Sequence, residues 1–200
     1  MNSLFIKVNQ TFTKQSLLAS IFFFFVLSSW YVLRPVRNEM AVSNVDNLPL
    51  LLAIGAIAML LVNPIYSWAA SKTNLRKLLT YCYLFFISNL LMFLFAWRVL
   101  DLEGVVWLGR AFYIWCNIYS FFVVSIFWVV IINVFRSSKT RNFYGVIMAG
   151  GSIGAFVGSE ISKRFSTSFN DYGLEFFSIS AIILLFIGLC AGLFLINSTN

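Results

Sequence analysis

Arg34 and Arg37 stand three residues apart near the end of a long apolar run, within Trp30-Tyr31-Val32-Leu33-Arg34-Pro35-Val36-Arg37-Asn38-Glu39-Met40. On a helix this spacing puts both on one face, with Leu27, Trp30 and Tyr31 a turn below. Two guanidiniums above aromatic rings suit a planar or phosphorylated anion, through bidentate hydrogen bonds and stacking. Pro35 removes a backbone donor and biases Arg34 away from helix, which predicts a break or kink and a free carbonyl beside the charges. The alternative is that both arginines snorkel to the membrane interface, with Glu39 and Asp46 as counter-ions.

Further along, Arg110, Asn117, Ser120 and Trp128 fall in one narrow stripe at 3.6 residues per turn. A polar stripe on an apolar helix faces either a water-filled cavity or a hydrogen-bonding partner helix. The expected substrate-binding set is therefore Tyr31, Arg34, Arg37, Asn117 and Arg110. Gly150, Gly154 and Gly158 form two overlapping small-xxx-small repeats, a helix-packing face that serves static contact or sliding. Glu160 has Lys163 and Arg164 three and four residues on, the arrangement of a helical ion pair. Proton coupling is the other role open to it. Asn89 stands alone in an apolar run, where a hydrogen bond to a neighbouring helix is expected.

Several chemistries are excluded or disfavoured. The chain has no His, which removes imidazole bases, imidazole metal ligands and His proton relays. Cys82, Cys116 and Cys190 lie far apart in apolar stretches, with neither disulfide nor metal-binding spacing. No acidic cluster and no Ser with an evident base is present, so no enzyme, cofactor or metal is expected. Gly150-Gly151-x-x-Gly154 follows no strand and lacks a following Lys-Ser/Thr, so it is no nucleotide loop. The net charge of +7 sits in short clusters between apolar runs, the pattern of topology-setting loops and not of a nucleic-acid-binding face.

The elements that must position these residues are membrane spans. Of 200 residues, 60% are apolar and 10% charged, against about a quarter charged in soluble domains. Six stretches reach the roughly 20 apolar residues a bilayer requires: about 16 into the 34–42 region, 48–70, 78–97, 111–135, 143–162 and 175–196. The start resembles a secretory signal, but no small-x-small cleavage site follows Trp30, so an uncleaved first helix is expected. The expected organisation is an N-terminal tail (1–15), an all-α polytopic bundle (16–196) and a short C-terminal end (197–200).

Lys7, Lys14, Lys72, Arg76, Lys77, Arg136, Lys139 and Arg141 fall on one side with no acid among them. Arg34, Arg37, Arg98, Arg110, Lys163 and Arg164 fall on the other, with Glu39, Asp46, Asp101, Glu103, Asp171 and Glu175. The positive-inside tendency then puts both termini in the cytoplasm. The second and fifth spans are rich in small residues and end in basic sequence. The third and sixth are nearly uniform apolar runs, expected to meet mostly lipid, and the first and fourth hold most intramembrane polar groups. That division describes a three-plus-three repeat, as found in transporters.

Tyr31-Val32-Leu33-Arg34-Pro35-Val36-Arg37-Asn38-Glu39-Met40, with Asn47-Leu48-Pro49 after it, resembles the first-helix signature of a bacterial branch of the major facilitator superfamily. That branch is related to the ATP/ADP (NTP/NDP) translocases. Gly109-Arg110-Ala111-Phe112, Phe127-Trp128, Val134-Phe135-Arg136 and Phe143-Tyr144-Gly145 running into Gly150-Gly151-Ser152-x-Gly154 fit it too, so the resemblance covers residues 22–158. Asn38 stands where the branch often has Asp. The superfamily's loop motif falls on Ser67-x-x-x-Ser71-Lys72-x-Asn74-x-Arg76-Lys77, with Ser71 in place of the acid and Ser67 and Asn74 in place of the glycines.

The resemblance implies a multi-pass transport protein of the bacterial inner membrane that moves a small anionic solute by alternating access. Members have two six-helix bundles, whereas this chain matches the N-terminal half. The expected partners are the bilayer, the solute and a second bundle, supplied by a homodimer or a separate C-terminal half. The competing reading is a non-transporting subunit or truncated remnant. Reporter fusions within 72–77 and after Asn200 are predicted to report cytoplasm, and one near Asp101 the opposite side. A C-terminus reported outside would overturn the orientation.

Overall fold

A computed structural model describes residues 2–42, 47–100, 102–135, 144–165 and 169–198. Six helices account for them: α1 (Asn2–Val42), α2 (Leu48–Lys72), α3 (Leu75–Val99), α4 (Leu102–Val134), α5 (Tyr144–Phe165) and α6 (Phe169–Asn197). All six are long and apolar enough to cross a bilayer, over Lys14–Val42, Leu48–Lys72, Leu75–Val99, Gly104–Val134, Tyr144–Arg164 and Glu175–Asn197. This is the makeup of a multi-pass membrane protein. Asp46, Asp101, Arg136, Lys139, Arg141, Phe143, Thr199 and Asn200 lie outside the described residues.

Helix α1 is the hub, packed against α4, α5 and α6, while α4 in turn packs against α2 and α3, and α3 against α6. Directions follow from which residues meet. Ser20 and Ser28 of α1 lie beside Val146 and Gly154 of α5, so those two helices are parallel. Phe22 meets Phe127 and Arg37 meets Asn117, so α1 and α4 are antiparallel. Gln15 Nε2 donates to the Ser198 carbonyl at 3.4 Å, so α6 ends beside the start of the first span at Lys14. Arg76 likewise bonds Asn197 across the same end. The helices therefore alternate in direction. Lys14, Lys72, Arg76 and Lys77 gather at one end of the bundle, and Arg34, Arg37, Arg98, Arg110, Lys163 and Arg164 at the other.

The α1–α5 contact is the closest in the bundle. A Cβ added to Gly154 would lie 2.8 Å from Phe24 Cα, and one on Gly158 would lie 2.7 Å from the Ser28 carbonyl oxygen. Only glycine allows backbones that near. Hydroxyls then bond across the seam: Ser28 Oγ donates to the Gly154 carbonyl at 2.9 Å and Ser20 Oγ to the Val146 carbonyl at 3.0 Å.

Pro35 does not break α1, which runs on to Val42. The missing N–H leaves the Tyr31 carbonyl, four residues back, without its helical donor. Ser162 of α5, only 2% exposed, sits within reach of the carbonyls of Tyr31 (3.2 Å), Val32 (3.2 Å) and its own Gly158 (3.1 Å). A hydroxyl has one proton to give. The Val32 and Gly158 carbonyls already have in-helix donors, so Tyr31 is the acceptor that needs it. In a bilayer, where no water fills the gap, that bond lets the helix pass through a proline.

Two further expectations are corrected. Asn89 donates to the Phe85 carbonyl of its own helix at 2.7 Å, because that acceptor is one turn away and always in place. The third and sixth helices are not the ones most given over to lipid. Leu79, Tyr83, Phe86, Leu90 and Phe93 of α3 form a buried stripe at helical spacing, and α2 is the least enclosed, with 12% of its apolar window buried against 33% for α3 and 39% for α6. Uniform apolarity hides which face packs, since lipid and protein interior are equally apolar.

Ser162→Ala is expected to destabilise the bundle by about 1 kcal/mol, and to cost far less in a Pro35→Ala background, where residue 35 regains its N–H. A double-mutant cycle on detergent unfolding measures this. Equal costs in both backgrounds would refute the pairing. Gly154→Leu should cost about 3 kcal/mol by overpacking.

Candidate functional site

The residues predicted to form one site fall into three places, and helix geometry explains the division. At 100° per residue, positions 34 and 37 diverge by about 60° around α1. Arg37 turns toward α4 and Arg34 toward α5.

Arg37 is half-buried. Its Nη1 donates to Asn117 Oδ1 at 3.1 Å and its Nη2 to Asn38 Oδ1 at 2.9 Å. The Trp30 ring lies below, 5.3 Å from the guanidinium carbon to the ring centroid. Trp30 and Arg37 are seven residues apart, close to two full turns, which aligns them along α1. Arg37 Nε is buried and has no hydrogen-bond partner among the described residues. Asn117 is itself placed between helices. Gly55 of α2 lies beside it, where an added Cβ would be 4.0 Å from Asn117 Nδ2.

The result is a guanidinium held by two neutral amides and an aromatic face, with no carboxylate partner among the described residues. The amide oxygens fix its direction without cancelling its charge. Each amide keeps its NH2 group for a further acceptor. Such a cluster can bind an anion through charge and several donors at once.

Arg34 is exposed and lies over the Tyr31 ring, 5.5 Å from its centroid. Both line a separate cleft of about 410 Å3 between α1 and α5, with Pro35, Asn38, Glu39, Ser159, Ser162 and Lys163 also on its wall. Asn38 belongs to both places, since it bonds Arg37 and faces the Arg34 cleft. Arg110 is half-buried and stacks on Trp107 of its own helix at 4.6 Å, two turns along α4 from Asn117.

The stripe on α4 divides in the same way. Ser120 Oγ donates to the Asn117 carbonyl at 2.8 Å. Trp128 lies much further along the helix, edge-on to Phe23 and stacked with Tyr144 at 6.5 Å. Gly150, Gly154 and Gly158 all lie in the α1–α5 seam. Glu160 pairs with Arg164, 3.2 Å from Oε1 to Nε.

Sequence reasoning placed Trp30 below the arginines but missed Asn38 as a member of the Arg37 cluster, and Ser162 as the partner of the proline-freed carbonyl. The last had a readable signal, since a proline within a membrane-spanning helix frees a carbonyl that a hydroxyl or amide of a neighbouring helix can answer. It also missed the Arg98–Glu175 pair, which joins residues 77 apart in sequence. Among the described residues no three His, Cys, Asp or Glu side chains converge to hold a metal. No family model matches this sequence, and neither a curated protein nor a solved structure matches it.

Proposed function

We propose that this chain is a secondary transport protein, one six-helix bundle of the major facilitator kind and related to the ATP/ADP translocases, in which Arg37 and Asn117 bind an anionic solute. The observation that carries the reading is Arg37 itself. A guanidinium near hydrocarbon costs about 2.5–3.5 kcal/mol on insertion scales unless it is hydrated or paired. Here its hydrogen-bond partners are neutral amides. A water-filled cavity would relieve that cost, and a ligand would use the charge.

The neighbour scheme supports a three-plus-three repeat. Exchanging α1, α2 and α3 for α4, α5 and α6 turns the α1–α5 contact into α4–α2, α1–α6 into α4–α3, and α2–α3 into α5–α6, all of which occur. The contacts α1–α4 and α3–α6 map onto themselves, while α4–α6 has no counterpart of like extent between α1 and α3. Helices α1 and α4 then occupy equivalent positions and face each other at the Arg37 cluster, as helices lining a repeat interface do. Alternating access needs two bodies moving around one site, so the bundle acts with a second one, either another copy or a separate partner. The orientation that follows from the basic loops puts both chain termini on the cytoplasmic side of a bacterial inner membrane.

Two experiments test this. Purified chain is titrated with ATP and with inorganic phosphate. Arg37→Lys should weaken anion binding about tenfold or more, because a point charge cannot reproduce the planar fork. Asn117→Asp should weaken it at least as much by supplying the missing counter-charge, while stabilising the apo bundle. If Arg37→Lys and Arg37→Gln both keep parental affinity with unchanged insertion, Arg37 is an interface anchor. The second experiment is size determination in detergent, where dimerisation or a co-purifying bundle is expected. Robust solute flux through a demonstrated monomer would refute the two-body mechanism.

A further inference from the structure

At the end of the bundle away from Gln15, Arg98 closes α3 and Glu175 opens the span of α6. Arg98 Nε and Nη2 donate to Glu175 Oε1 and Oε2, both at 2.8 Å. The side chains stay 70% and 29% exposed. The bidentate geometry fixes both charged groups side by side while each keeps part of its surface open.

Beneath the pair lies a groove of about 350 Å3 between the two helices, walled by Leu91, Leu94, Phe95 and Ile179. Leu94 and Phe95 are one turn from Arg98 and Leu91 two turns, while Ile179 is one turn from Glu175. The walls therefore recede from a charged mouth at the membrane boundary into the hydrocarbon. Leu91, Phe95 and Ile179 are open to the bilayer.

We propose that this groove binds a bilayer phospholipid whose headgroup carries both a phosphate and a primary ammonium. The phosphate meets Arg98, the ammonium meets Glu175, and one acyl chain lies along Leu91, Leu94, Phe95 and Ile179. Charge complementarity selects this class. Arg98 has five N–H donors and spends two on Glu175, leaving others for phosphate, and the carboxylate oxygens keep lone pairs for an ammonium. The pair need not open. An anionic headgroup without an amine gains Arg98 but meets the like charge of Glu175. A trimethylammonium group has no N–H to donate to the carboxylate. The proposal is independent of the Arg37 reading, since it concerns different helix faces and a different ligand.

The test is native mass spectrometry of the full chain, delipidated and then titrated with phosphatidylethanolamine, phosphatidylcholine or phosphatidylglycerol of identical acyl chains. Wild type should retain phosphatidylethanolamine about tenfold more strongly than either of the others. Glu175→Gln should bring the phosphatidylethanolamine to phosphatidylglycerol ratio close to one. Leu91→Trp, which fills the groove and leaves both charges, should weaken retention of all three. Equal retention of the three lipids by wild type overturns the headgroup assignment. So does an unchanged ratio in Glu175→Gln that inserts and keeps its helical circular dichroism. Should that variant fail to insert, Leu91→Trp still decides, because parental retention in it would show that the lipid sits elsewhere.

Discussion

Helices α1 and α5 meet backbone to backbone, and the position of every other helix depends on that approach. Lipid offers no hydrophobic drive for helices to associate, so association rests on close packing and hydrogen bonds. Glycines at 150, 154 and 158 remove the side chains that would hold the helices apart, and Ser20, Ser28 and Ser162 bond across the gap. With one face of α1 occupied by α5, the remaining faces are left for α4 and α6. Ser29 then completes the arrangement from the α1 side. Its hydroxyl lies against the Tyr119 hydroxyl of α4 and the Ala181 carbonyl of α6, so a single buried group ties three helices together.

The charges at the Arg34 end follow two different logics. Arg98 and Arg164 have carboxylates at hydrogen-bonding distance and amount to locally neutral pairs. Arg37 has amides instead, which orient a charge but do not offset it. Removing charges from water costs several kcal/mol per ion, and a paired ion recovers part of it. Arg37 forgoes most of that recovery, and this separates it from Arg98 and Arg164.

Much of the architecture was legible because bilayer thickness sets a length that apolar runs either meet or miss. Five of the six spans were readable within a few residues, and the fourth except at its start, which lies at Gly104 and not near residue 111; the partition of the described basic residues between the two ends was readable too. The near helical ion pair of Glu160 was readable as well, being a matter of four residues. What escaped depended on rotation about helix axes or on long-range meetings. The divergence of Arg34 from Arg37 is a 60° difference that same-face reasoning blurs. The loose position of α2 was hidden by its apolarity, and the Arg98–Glu175 pair by its sequence separation. Asn89 misled because a lone polar group in an apolar run can always turn to its own backbone.

The hub position of α1 also fixes the order in which the protein can be made. Its principal partners, α4, α5 and α6, are all synthesised after it. The hydroxyl that relieves the Tyr31 carbonyl comes from a residue 131 positions downstream. Until α5 leaves the ribosome, the first helix holds an unanswered carbonyl and a face, including Ser20, Phe24 and Ser28, with nothing against it. Its early neighbours α2 and α3 supply none of the missing groups. The oldest helix of the chain therefore reaches its full set of contacts only when the youngest has been made.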